Sequence, residues 1–558
     1  MFHLSPSERS DYFRGLTPGA GLDLRGTRIT RLLLGQLLDA LRRDDGITEL
    51  GGVRFEEATF EESADFTGVQ FNGAAEFQDA EFRGLAMFDR AIFSSASFDR
   101  STFRAAATFR EAKFTSPMVF RRVDFGMDAS FLSTSFLAHS SFQDCHFRYV
   151  ANFTSAAFES LDMGWIRFSA RALFHKAAFA GPVLFGPVVC AEEINFSGSR
   201  FEGQAAFALA AAAVDCRRAR FESTLTLRLR YAEVDLRDAV LSAPTAVSAQ
   251  AAPLPLFDDP MAEAPLAGRS PAVKVASVEG VDASHLVLTD TDLTHCRFIG
   301  AFHLDQIRLE GRTILPPVPQ GLHWGSWPIR WSPRRTVAEE HHWRAQQAAQ
   351  PALPPGQPQP AGTWHTGPHH GDLAHTPDPE DVVAVYRQLR KAFEDGKNEP
   401  GAADFYYGEM EMRRHDRVAT PRGERALLHA YWLLSGYGLR ASRAFTWLIL
   451  AMLTTILLLM GFGLPQHSPP QEATGVVPAG GGRVTFTIDK DDPQNPTGNR
   501  FTGERLDKAL TATLNSVVFR SSGQDLTTAG TYIEMTSRLL EPALLALAVL
   551  AIRGRIKR

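Results

Sequence analysis

The sequence predicts an all-β, four-sided solenoid followed by an α-helical hairpin and two transmembrane α-helices. Three observations carry this. Phe recurs every five or six residues from position 55 to 207, with a few substitutions. A Pro-, Gln- and Gly-rich stretch at 345–379 gives way to helical periodicity. An uncharged apolar run of 21 residues stands at 444–464. At 558 residues the chain is too long for one compact core, so several domains are expected.

The solenoid rests on spacing. Phe stands at 55, 60, 66, 71, 77, 82, 88, 93, 98, 103, 109 and 114, and on through 158, in steps of five and six. Two positions before most of them lies a small residue, such as Ala58, Ala64, Ala75, Ala86 or Ala151. A helix needs apolar residues three and four apart and an ordinary strand needs strict alternation, so neither template fits. Four sides of this length make a coil of roughly 22 residues, and only stacking of coils buries the rings. Phe71, Phe82, Phe93, Phe114, Phe131, Phe142, Phe153 and Phe179 are the predicted core. Met163, Cys190 and Cys216 replace Phe at central beats, while Cys145 and Cys296 take small positions. With no CxxC pair, the four cysteines read as buried spacers and not as metal or redox groups.

This Phe-centred pattern resembles the pentapeptide-repeat family. The resemblance implies a right-handed quadrilateral β-helix over 51–315, interrupted by an Ala- and Pro-rich loop insert at 242–274. Some members imitate DNA through an acidic surface. Here residues 51–241 hold 24 acidic and 20 basic side chains of interleaved sign, a net of 24 − 20 = 4 negative. Neither this nor the whole-chain charge of −5 points to a DNA-like potential or a nucleic-acid partner. Eight lysines among 58 basic residues, with abundant Ala, suggest a GC-rich bacterial genome.

Residues 1–50 are expected to cap the first coil; they lack the charged and apolar regions of a signal peptide. The segment 316–344, with Trp324, Trp327 and Trp331, is expected to cap the last coil. The stretch 345–379 reads as a disordered linker. Its His365, His369, His370 and His375 fix no metal geometry, and no metal or cofactor is expected. Over 380–440 come cytoplasmic and interfacial helices. Val382, Val385, Tyr386, Leu389 and Phe393 form one face. Glu409, Glu411, Arg413 and Arg414 read as a solvated or salt-bridged face and not as acid–base catalysts. The segment "YWLLSGYGLR" resembles bacterial pentapeptide-repeat membrane proteins.

A two-span membrane domain is expected over 441–558, with transmembrane helices at 444–464 and 531–552. Arg440 and Arg443 before the first span, and Arg553, Arg555, Lys557 and Arg558 after the second, place both termini in the cytoplasm of a plasma-membrane protein. The second span contains Glu534, Arg538 and Glu541, intramembrane polar residues that face a bundle interior or an aqueous cavity. In the outer loop, residues 505–519 suit a pore helix. Span, short helix, extended turn and span resembles the order of two-helix pore-loop channels. A pore mouth then falls on Arg520, Ser521, Ser522, Gly523 and Gln524. Gly436-Tyr437-Gly438 matches a potassium-filter tripeptide, but it precedes the first span and so is no filter.

The sequence holds no nucleophile–base set, phosphate loop or metal cage, so an enzyme is not expected. Two function classes stand. One is an ion-conducting homo-oligomer in the lipid bilayer, a tetramer if it encloses a pore, whose cytoplasmic solenoid binds a protein partner. The other is a membrane-anchored interaction scaffold without channel activity.

Overall fold

The structure, a computed structural model, describes residues 11–556 apart from 257–258, 321, 325–327, 331, 355–356, 358–359, 371, 373–375, 467–470, 476–479, 482–483, 485, 491 and 519. Expectations that fall on Trp327, Trp331, His375, Phe519, Lys557 and Arg558 lie outside the described residues. The chain forms two compact units, Met1–Phe405 and Tyr406–Arg558.

In the first unit, strands of mostly two residues pair in parallel with strands one coil away, through about twelve coils. Gln70, Ile92, Lys113, Ser135, Ala157, Ala178 and Arg200 occupy one column, at successive spacings of 22, 21, 22, 22, 21 and 22 residues. Inside, the rings form four columns. In one, Phe66, Phe88, Phe109, Phe131, Phe153 and Phe174 stack 4.7–5.1 Å apart. That spacing is imposed by the backbone, because parallel strands lie about 4.8 Å apart. Rings of different columns meet edge to face, as Phe131 does with Phe120 and Phe142, both 5.8 Å away at 87° and 89°. Phe71, Phe82, Phe93, Phe114, Phe131, Phe142, Phe153 and Phe179 are all buried.

The alternation of five and six has a backbone cause. After every second central residue, the chain turns through a left-handed position, occupied by Glu57, Gly68, Asp79, Arg90, Arg100, Glu111, Arg122 and Ser133 with φ between 54° and 69°. These tight corners take the five-residue step in most coils, and the wider corners take the extra residue. Left-handed φ disfavours side chains by roughly 1–2 kcal/mol each, so ring burial must offset the cost at each non-glycine corner. All four cysteines are buried and unbridged. Burial pushes the thiols of Cys145 and Cys190 up to about 12.

Several boundaries differ from the expectation. The sheet starts before position 51: Leu22–Asp23 pairs with Val53–Arg54, and Arg28–Ile29 with Thr59–Phe60. Leu24 and Ile29 are buried where Phe would stand, with Leu22 at the small position opposite Val53, so this coil carries no Phe signal. Helix α1 (Arg31–Ala40) buries Leu33, Leu34, Leu37 and Leu38, with the Thr30 hydroxyl accepting from Leu33 N at 3.3 Å. The insert is shorter than 242–274. Thr245–Ala249 and Val273–Ser277 are ladder strands, and only the residues between them leave the sheet. This excursion returns to the solenoid: Leu254, Met261 and Leu266 pack on Val189, Ala210 and Ala212, and buried Arg230 pairs with Glu263 at 3.1 Å.

After the last ladder strand, Arg308–Glu310, helix α2 (Ala338–Gln347) brings Glu339 to the backbone of the final coils. Its Oε1 accepts from Phe298 N and, at 3.0 Å, from Ile299 N. Next to it Glu340 is fully buried between Arg334 (2.5 and 2.7 Å) and Arg344 (2.7 Å), and accepts from the Tyr386 hydroxyl at 2.5 Å. Burial alone would raise this carboxyl; the two guanidinium groups prevail and hold it down at about 2. The described part of 345–379 is not a free coil. Trp364 packs with Val318 and Ala345, and His341 Nδ1 accepts from His365 N at 3.2 Å. Helices α3 (Pro379–Asp395) and α4 (Glu399–His415) follow. Val382, Val385, Tyr386, Leu389 and Phe393 are buried, as the periodicity predicts.

The second unit contains α5 (Arg422–Ser435), α6 (Ala441–Leu458) with a π turn over Leu459–Gly463, α7 (Gly503–Val517) and α8 (Thr528–Ile556). Ala441–Gly463 and Thr528–Arg553 are long and apolar enough to cross a membrane. The first, at 23 residues, is about 35 Å long at 1.5 Å per residue.

Candidate functional site

The second unit contains every residue that the sequence singled out for transport, and its architecture starts at Gly436-Tyr437-Gly438. All three have positive φ (55°, 59° and 72°), which turns the chain sharply between α5 and α6. Tyr437 is buried, with its hydroxyl donating to Glu411 Oε2 at 3.0 Å and its ring 5.0 Å from that of Tyr407. Arg414 pairs with Glu411 at 2.6 Å and lies 4.4 Å from the Trp432 ring centre. Of the two readings of the α4 charges, solvated or salt-bridged, the salt-bridged one holds: Glu411 and Arg414 pair while buried, Glu409 is buried too, and Arg413 pairs with Glu424 at the surface at 2.6 Å. The tripeptide is a structural joint.

Beyond the joint, α6 and α8 approach closely where Gly463 meets Gly530. A Cβ on Gly530 would lie 2.3 Å from Gly463 O, so only glycine fits at this backbone contact. Thr527 reinforces it, with its hydroxyl donating to Phe462 O at 2.7 Å. The carbonyls that end the first apolar helix have no helical partner of their own. Arg505 of α7 supplies one, donating to Met460 O and Leu464 O at 2.8 Å and to Pro465 O at 2.9 Å. A cation there also opposes the negative end of the helix dipole.

A polar seam runs along one face of α8, at Glu534, Ser537 and Glu541, three and then four residues apart. Each meets a different element. Glu534 Oε1 accepts from Ser522 N and from Arg538 Nη2, both at 2.9 Å. Ser537 shares a 2.6 Å hydrogen bond with Ser516 of α7. Glu541, fully buried, accepts from the Thr455 hydroxyl of α6 at 2.8 Å, and its Oε2 has no hydrogen-bond partner among the described residues. The structure thus brings Ser522, Glu534 and Arg538 together and sets Glu541 apart. Arg520 is exposed, and its N donates to Asn515 O at 2.8 Å. Ser521 Oγ and Ser522 Oγ accept from Gly523 N and Gln524 N at 3.4 and 3.3 Å.

Helix α7 presents its faces in an unexpected way. Ala509, Ala512, Thr513 and Ser516 are buried, while Leu506, Leu510 and Leu514 are exposed. Ile449, Leu453 and Leu457 of α6 and Leu539, Val549 and Leu550 of α8 are exposed too. A groove of about 550 Å³ lies between α6 and α8, lined by Trp447, Leu450, Leu458, Tyr532 and Leu540 among others.

Residues 55–102 match the family model for pentapeptide repeats, in nine copies. Those copies divide 48 residues at a mean near the alternation of five and six. The match covers the first coils of the Phe columns, which continue unbroken to Phe158, and the later coils follow from the ladder geometry. No curated protein and no solved structure matches the chain.

Sequence reasoning missed Arg505, Thr455, Ser516 and Thr527. Hydroxyls in apolar helices and one Arg in a short amphipathic helix are the signals that mark them.

Proposed function

We propose that the chain is a multi-pass plasma-membrane protein with both termini in the cytoplasm, in which a right-handed quadrilateral solenoid and a helical hairpin precede a two-span pore domain. In this reading four copies surround an ion path, the solenoid binds a protein partner that sets the open state, and no catalysis takes place. The observation that carries it is the order of elements in the second unit: apolar helix α6, short helix α7 tied back to it through Arg505, the extended Arg520–Gln524 segment, and apolar helix α8. The apolar faces left exposed on all three helices suit lipid and neighbouring copies. Arg520, exposed directly after α7, is the residue to test. In planar bilayers Arg520→Glu is expected to shift ion preference toward cations. Unchanged permeability ratios count against the pore.

A second reading, the membrane-anchored scaffold, draws on the polar seam. Ser516 pairs with Ser537, and Thr455 with Glu541 Oε1, within a single chain, as packed helices without a pore would do. Absence of any conductance from a chain that still binds a partner through its solenoid would favour it.

A further inference from the structure

A cavity of about 240 Å³ opens at the C-terminal end of the solenoid, bounded by Glu279, Arg297, Glu339, His342, His370 and Asp381 among others. It lies wholly within the first unit, so neither conductance nor oligomeric state bears on it. Glu339 is 1% exposed. One of its oxygens is taken by Phe298 N and Ile299 N; the other, Oε2, is buried with no hydrogen-bond partner among the described residues. A carboxylate oxygen withdrawn from water without a donor is costly, and it calls for a partner that the chain does not supply.

The surrounding groups say what kind of partner fits. His370 Nε2 faces Gln350 O at 2.5 Å and so carries the proton, which leaves Nδ1 an acceptor; it too is buried without a partner. Burial drives the His342 imidazole down to about 3, so it is neutral. The Arg297 guanidinium forms an ion pair with Glu279 at 2.8 Å, with its Nη2 making no hydrogen bond among the described residues. Glu339 and Asp381 have no ion pair among the described residues. Burial raises the Glu339 carboxyl above its ordinary range, and three acidic side chains, Glu279, Glu339 and Asp381, line the cavity against the single guanidinium of Arg297, an excess of acid that favours a cation over an anion. A metal ion is also disfavoured, since among the described residues no three His, Cys, Asp or Glu side chains converge to hold one. The volume equals about eight waters at roughly 30 Å³ each. Water would bring donors but no charge.

We propose that this cavity binds a small organic ammonium ion, which donates to Glu339 Oε2 and His370 Nδ1 and is balanced by Asp381 at the rim. The solenoid end is then a ligand site and not merely a cap.

Titration calorimetry on the full chain in nanodiscs, with diaminobutane as probe and the uncharged butanediol as control, tests it. One equivalent of the diamine per chain is expected, with no heat from the diol. Glu339→Gln should weaken binding about ten-fold or more, as expected for loss of a charged hydrogen bond. Should Glu339→Gln disturb the coil end, seen as a lowered melting temperature, Asp381→Asn at the exposed rim keeps the test alive and should weaken binding several-fold. No diamine binding at millimolar concentration, equal affinity for the diol, or affinity indifferent to both substitutions overturns the proposal. So does stoichiometric zinc binding that displaces the diamine and depends on His370.

Discussion

Replacement of Phe131 by Ala tests the stacking account most sharply. Phe131 is fully buried and lies between Phe109 and Phe153, 4.8 and 4.7 Å away with interplanar angles of 2°. It also meets Phe120, Phe125 and Phe142 edge on, at 5.8, 6.1 and 5.8 Å. Phe→Ala in a packed core costs about 3–5 kcal/mol. Aromatic pairs add about 0.5–1.5 kcal/mol each beyond the buried area. With two stacked and three edge partners, the cost should lie near 5 kcal/mol. Phe55 is the last ring of its column, with aliphatic Leu24 beyond it, and has one stacked partner, Phe77 at 5.1 Å. Phe55→Ala should therefore cost nearer 3 kcal/mol. Because coils contact only their neighbours, the damage should stay local. Native-state hydrogen exchange reads both features: amides between Phe109 and Phe153 lose protection in Phe131→Ala, while those near Phe201 keep it. Equal losses for the two variants, or protection lost uniformly along the solenoid, would refute the reasoning.

Other consequences follow from the same geometry. Gly438 has φ +72°, and a Cβ there would lie 2.5 Å from the Tyr431 hydroxyl, so Gly438→Ala should lower stability by more than the ~1–2 kcal/mol of a left-handed residue alone. Gly503→Ala, with open space around it, should be neutral or slightly stabilising; comparable melting temperatures for the two would count against the joint. Arg505→Gln, which strips donors from the carbonyls of Met460, Leu464 and Pro465, should cost roughly 3 kcal/mol and speed proteolysis between the two apolar helices. Glu340 is held down at about 2 against an ordinary 4.5. Its contribution is therefore present above about pH 4.5 and is lost as pH falls toward 2. Relative to Glu340→Gln, the parent should lose melting temperature over that window; parallel curves would contradict the assignment.

The solenoid was legible because one residue type repeats with one spacing. Legibility ended where chemistry substituted for Phe without changing geometry. Leu22, Leu24 and Ile29 build a coil that no Phe announces, and Thr245–Ala249 hides a ladder strand in a stretch whose composition reads as loop. The polar cap was illegible for another reason. Tyr386 lies 46 residues from Glu340, and charged residues such as Arg334 and Glu340 read as surface until a fold buries them together. For Glu411 and Arg414 the pairing was legible and the burial was not. In the apolar helices the sequence did mark Glu534, Arg538 and Glu541, because charges are conspicuous in such runs. It did not reveal their partners, since Ser516, Ser522 and Thr455 are ordinary residues that only packing singles out.

The proposed ion path requires an oligomer, because two helices per chain long and apolar enough to span a membrane are too few to line one. The mass of the intact complex, extracted into nanodiscs and measured by native mass spectrometry, tests this most directly. Four copies per particle is the predicted result. One or two copies would contradict it, since too few helices would then surround the axis, and the scaffold reading would stand in its place.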